Sequence, residues 1–273
     1  MEITPGLFAA VAAIALVSQY MSVSIGVGYG TILTPLLLIL GFSALQIIPA
    51  VLLSQFVGGV VGGLAHYWAG NITLDFRRDD RLIKKRLGGL GYLPRSIDSK
   101  VIFVLVACGV IGVVVGVLVA TNIPQVALKT YIGVMILGVG IVVLSRRGHE
   151  GAFSWKGLFA FGLLGAFNKG VSGGGYVPLV AGGQIMIGRG TKSSIGSTTL
   201  AVTIISAIGF LGYLLIIEGI DWILTAATII SSVIAAPFAA VTVRKLSPEK
   251  LRVVIGLATL VLGALTLVRV FIF

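Results

Sequence analysis

The chain has 273 residues, of which 57% are hydrophobic and only 11% charged, and its mean hydropathy is +1.11. A water-soluble domain carries about 25% charged residues, so this composition excludes a soluble globular protein and leaves a polytopic helical membrane protein. The net charge of +11 sits in short loops between apolar runs. That is the distribution of cytoplasmic membrane loops, not of a nucleic-acid-binding face.

In chain order the apolar runs fall at 6–25, 31–41, 44–69, 100–120, 128–144, 155–172, 174–188, 191–217, 220–243 and 251–271. Short alternating segments of β-barrel type are missing. The opening MEITPG has no Lys or Arg, so the first run reads as a retained helix and not a signal peptide. GVGYGTILTP, from Gly26, precedes the short run 31–41, and NKGVSGGGYVPLVAGGQ, from Asn168, spans the second short run, 174–188. Residues 70–99, centred on RRDDRLIKKR, form the one sizeable polar loop. The expected fold is all-α, with eight long and two short segments. Two membrane repeats divide it, 1–144 (with the basic loop) and 145–273.

The halves resemble each other. Residues 108–140 align without a gap on 231–263, pairing Val110 with Val233, Ile132 with Ile255, Gly133 with Gly256 and Gly140 with Gly263. Each half also carries a glycine cluster with Tyr and then Pro. Loops 70–99, 145–156, 189–192 and 244–252 hold most of the Lys and Arg. All four lie on the cytoplasmic side if each short segment counts as a crossing. Each half then has five elements, the second half is inverted, and both termini lie outside. The rival count is eight helices with two re-entrant hairpins. It gives parallel repeats and puts RKLSPEK outside, against the positive-inside bias.

The sequence offers no nucleotide loop of Walker type, no HExxH and no Cys or His cluster. It therefore predicts no enzyme, no catalytic residue, no metal and no cofactor. Cys108 reads as a small core residue and His66 as a packed one. The nine acids can all be placed in loops or at helix ends.

Lys169 is different, because it lies deep in its apolar segment beside the glycines. A charge embedded in a membrane is costly and marks a functional site by default. Gly170, Gly173, Gly174 and Gly175 should break the helix near 170, and Pro178 should sit early in its restart. Gly26, Gly28 and Gly30 offer the same design in the first half. Restarting helices present unpaired N–H groups and the positive dipole end, and irregular backbone at this depth is tolerated where it lines a cavity. Two such ends plus Lys169 predict a small-anion site. Its candidates are Lys169, Asn168, Ser172, Gly173, Gly174, Gly175 and Tyr176 at one break, with Gly28, Tyr29 and Gly30 at the other. Ser54, Gln55, Ser197 and Thr198 are expected on the long helices that follow.

GVGYGTILTPLLLILG with LLSQ, and NKGVSGGGYVPLVAGGQ with KSSIGSTTLA, resemble the sulfite exporter TauE/SafE family over almost the whole chain. The resemblance implies export of sulfite or a related sulfonate-type anion across the bacterial cytoplasmic membrane. The expected partners are that anion and the lipid bilayer, with no nucleic acid. Glycine-rich helix faces leave room for a homodimer.

Overall fold

The computed structural model describes residues 4–74, 76–77, 93–94, 96–145 and 153–242, with positions 257, 260–261, 263–268 and 271. Most of the polar loop, both basic stretches 146–152 and 243–256, and much of the expected run 251–271 lie outside the described residues.

Among the described residues the elements are α1 (Pro5–Ile25), α2 (Tyr29–Ile39), α3 (Ala44–Trp68), α4 (Ile97–Asn122), α5 (Gln125–Ser145), α6 (Trp155–Ser172), α7 (Tyr176–Met186), α8 (Thr191–Ile216) and α9 (Trp222–Thr242). Described positions from 257 to 271 are also helical. Two two-residue strands, β1 (Phe76–Arg77) and β2 (Leu93–Pro94), pair antiparallel in the polar loop.

Several long helices start at polar caps, whereas α8 starts at Gly190 without one. Thr4 accepts from Leu7 N–H with Pro5 at the first turn, Ser43 forms a capping box with Gln46, and Ser96 and Ser154 cap α4 and α6. The short helices α2 and α7 instead start at Gly28 and Gly175, and neither has a side-chain cap.

Among the described residues five helices are long and apolar enough to cross a membrane: Pro5–Ser24, Ala44–Trp68, Ile97–Asn122, Lys192–Ile216 and Trp222–Thr242. In α6, Asn168, Lys169 and Ser172 interrupt the apolar run. The exterior is apolar, with Leu215, Phe238, Phe103 and Val126 exposed, whereas Ser18, Gln19, Thr31, Ser54 and Thr228 are buried. This inside-out arrangement suits a multi-pass membrane protein, because polar groups find partners only within the bundle.

Glycines set the helix spacing. A methyl at Gly112 would lie 2.5 Å from the Leu163 carbonyl oxygen, and one at Gly116 would lie 2.4 Å from that of Phe167. So α4 and α6 run side by side in the same direction, backbone against backbone. Gly109 meets Ile205 and Gly212 meets Val117, which makes α8 parallel to α4. Gly59 meets Thr203 and Gly63 meets Leu200, which makes α3 antiparallel to α8. Gly58 lies against Gln19 and Ser232, and Gly62 against Val23 and Ala236, so α1, α3 and α9 share one direction.

The short helices double back. Gly165 packs on Tyr176 and Val180, and Gly183 packs on Phe161, so α6 and α7 form an antiparallel hairpin with Gly173–Gly175 at its tip. α2 pairs with α3 through the turn at 40–43 and so runs against α1. The two hairpins, α1–α2 and α6–α7, thus enter the bundle from opposite ends.

Candidate functional site

The hairpin tips meet. A methyl at Gly30 would lie 1.8 Å from the Gly173 carbonyl oxygen, and one at Gly174 would lie 2.8 Å from the Gly30 carbonyl carbon. Only glycine allows such an approach. Two residues of each tip have positive φ: Gly26 (79°) and Gly28 (88°) in the first, Gly173 (70°) and Gly175 (77°) in the second. Gly170 and Gly30 do not break their helices, although the sequence suggested it. Both are helical and serve as contact points, Gly170 against Val113 and Gly116 of α4, and Gly30 against the opposite tip.

Lys169 sits in the last turn of α6 and is 1% exposed. Its Nζ donates to Gln55 Oε1 at 2.7 Å and to the Gly173 carbonyl at 2.6 Å. Among the described residues no carboxylate pairs with it. An ammonium has three donors, so two neutral oxygens leave one N–H over. Gln55 reaches Lys169 from α3, and the adjacent Ser54 donates to Tyr29 Oη at 3.1 Å.

The backbone donors at the tip have partners. Gly173 N–H donates to the Lys169 carbonyl, Gly174 N–H to Ser172 Oγ at 3.1 Å, and Gly175 N–H to Thr31 Oγ1 at 3.0 Å. In the first tip Thr31 N–H donates to the Gly28 carbonyl. The sequence expected these groups at Gly173–Gly175 to face an anion, but in this closed arrangement they tie the tip together. Thr31 and Thr34 were missed in the sequence. Thr34 Oγ1 donates to the Ser172 carbonyl at 3.2 Å, so α2 clasps the α6–α7 tip through two threonines. Their signal was the spacing T-x-x-T just after GVGYG. Ser172 Oγ donates to the Asn168 carbonyl at 2.7 Å, and Tyr131 of α5 donates to Asn168 Oδ1. Tyr176 is fully buried and its hydroxyl meets no partner among the described residues.

Ser197 and Thr198 are not at the tips. Ser197 Oγ donates to Gln184 Oε1 at 3.0 Å, and Gln184 Nε2 donates to Thr198 Oγ1 at 2.7 Å. They belong to a second cluster at the end of the bundle where α4, α6 and α8 begin. There Arg189 pairs with Asp98 and also donates to Gln184, to Ser193 Oγ at 2.7 Å and to Ser197 Oγ at 3.2 Å. Ser193 donates to Asp98 as well. Burial pulls the Arg189 pKa below its ordinary value, and the Asp98 charge offsets part of that. The sequence marked Arg189 only as a loop cation and Asp98 only as a helix-end acid. The missed signal was the i, i+4 series Arg189, Ser193, Ser197 following Gln184.

A surface groove of about 330 Å³ among α3, α4 and α8, lined by residues such as Phe56, Val60, Leu64, Ile102 and Ile204, is too apolar to hold an anion. His66 is buried with Nδ1 against Asn71 Nδ2 at 3.0 Å, and Cys108 is buried and free.

The family model of the sulfite exporter TauE/SafE matches residues 84–266, a stretch that includes the second hairpin and its lysine. The chain belongs to the sulfite exporter TauE/SafE family. It is also similar to the probable membrane transporter protein YtnM of Bacillus subtilis (strain 168), at 24% identity over 94% of this chain and 81% of that protein. No solved structure matches it. Within this TauE/SafE chain, α6 and α7 supply the lysine and the second glycine break, and α3 supplies the amide that holds the lysine.

Proposed function

We propose that the protein is a transporter of the bacterial cytoplasmic membrane that exports sulfite or a related sulfonate-type anion by alternating access. The anion binds to Lys169 between the two hairpin tips. The single observation that carries this reading is a buried cation with no carboxylate partner among the described residues and one donor to spare. An uncompensated buried charge is costly, and an anion between the tips would relieve that cost.

The halves act as an inverted repeat with both termini outside. What supports this is the pair of hairpins entering from opposite ends, together with the reciprocal packing of α1 on α9 and of α4 on α6. Arg189 and Lys192 share an end with the start of α4, which favours that end as the cytoplasmic one. The Asp98–Arg189 cluster then closes the cytoplasmic side. With the tips in contact and Lys169 sealed off, an anion can pass only if the tips part. This favours an alternating transporter over an open channel.

The test is sulfite flux in proteoliposomes, wild type beside Lys169→Met. Saturable flux that falls at least a hundredfold in the variant is the expected result. Equal flux in the two would remove Lys169 from the pathway.

A further inference from the structure

Gln19 lies in the C-terminal half of α1 and is fully buried, yet neither its Nε2 nor its Oε1 meets a partner among the described residues. A buried amide left unpaired is costly, and membrane interiors offer no solvent to relieve it. The sequence reading passed over this residue. Its surroundings include polar groups. A methyl at Gly58 would lie 2.5 Å from Ser232 Cβ and 3.0 Å from both Gln19 Nε2 and Ser232 Oγ, so α3 packs closely here and glycine lets the two polar groups stand beside it. Ser232 Oγ donates to the Thr228 carbonyl at 3.0 Å, and Tyr29 Oη donates to the same carbonyl at 3.4 Å. Ser54 Oγ donates to Tyr29 Oη, and its neighbour Gln55 holds Lys169. Neutral polar groups thus lie between the charged site and Gln19, bonded to one another from Ser54 through Tyr29 to the Thr228 carbonyl and Ser232, with Gln19 next to Ser232 but not bonded to it.

We infer that Gln19, with Ser232 beside it, is a second and uncharged station for the transported anion, selective for oxyanions that carry an O–H group. This rests on the transporter reading above. A carboxamide presents two donors and an acceptor side by side. The donors suit an anionic oxygen, and the acceptor suits a hydroxyl hydrogen on the same ligand. Singly protonated sulfite has both, whereas a methyl sulfonate has only the oxygens. With no cation at this station the anion is held less tightly than at Lys169, which lets it leave.

The experiment measures saturable uptake of sulfite (at a pH where the singly protonated form dominates) and of methanesulfonate, in wild type, Gln19→Leu, Ser232→Ala and Lys169→Met. Melting temperatures are recorded alongside. The expected result for Gln19→Leu is a sulfite KM raised tenfold or more, a methanesulfonate KM changed less than threefold, and a melting temperature equal to or above wild type, since an unpaired amide is removed. Ser232→Ala should raise the sulfite KM in the same sense, and it keeps the test decisive if Gln19→Leu does not fold. Unchanged sulfite KM in both variants, or equal shifts for the two anions, overturns the inference. If that happens while Lys169→Met still loses uptake, the transporter reading stands without this station. If the wild type moves neither anion, both fall.

Discussion

Gly30→Ala tests the meeting of the two hairpins most directly. Alanine is the better helix former by about 1 kcal/mol, so propensity alone predicts a slightly more stable protein. Packing opposes it. The new Cβ would stand 1.8 Å from the Gly173 carbonyl oxygen, where ordinary contact begins at 3.4 Å. The tips would have to part by the difference of those two distances, about 1.6 Å, against rigid backbone. Overpacking of milder kinds costs about 1–3 kcal/mol, so the clash should outweigh the gain by about 1–2 kcal/mol or more. A chain of this size loses about 2–4 °C of melting temperature per kcal/mol. The expected result is a fall of about 2–8 °C with sulfite flux reduced at least tenfold. Gly138→Ala is the control, because no described atom lies within 4 Å of its added Cβ. It should be neutral or slightly stabilising. A Gly30→Ala protein with wild-type melting and flux would show that the tips do not touch, and the site built on their contact would go with them.

Thr31→Val removes the acceptor for Gly175 N–H in a buried setting. It should cost about 1–3 kcal/mol, read as a lower melting temperature, whereas Thr34→Val should leave only the Ser172 carbonyl unpaired and cost less. At the Asp98–Arg189 pair, either Asp98→Ala or Arg189→Leu alone should destabilise more than the two together. The double-mutant cycle should show a coupling of about 1–3 kcal/mol, and additive effects would mean that the pair holds nothing shut. Lys169→Met should keep or raise the melting temperature, because it removes a buried charge that has no ionic partner among the described residues. A collapse in folding would make the lysine a structural strut and not a binding group.

The glycine breaks were legible because their cause is local. Positive φ favours glycine whatever the tertiary context, so Gly26, Gly28, Gly173 and Gly175 could be read from the chain alone. Gly30 and Gly170 were misread as breakers because a glycine needed for close approach looks the same in sequence as one needed for a turn. Lys169 was legible because a lone charge in an apolar run has few bland explanations. Ser197 and Thr198 went to the wrong cluster because correspondence between repeats fixes position along a helix but not the facing partner. Their partners Gln184 and Arg189 come from a turn that only the folded hairpin brings back. Gln19 escaped notice because one amide in an apolar helix becomes unusual only when its surroundings are known to lack a partner.

The packing of α1 against α9 has a consequence for how the protein is made. Tyr20 bonds to Thr242, a separation of 222 residues, and Tyr29 bonds to the Thr228 carbonyl, 199 residues away. Synthesis runs at about 5–20 residues per second. The first hairpin therefore waits on the order of 10–40 s in the membrane before its partner helix leaves the ribosome. Throughout that wait Gln19, Tyr29 and Ser54 face lipid or whatever shields them from it. The nascent first half is a guest that must be sheltered, and insertion machinery able to hold a polar hairpin for that interval is as much a condition of this fold as the glycines that later lock it.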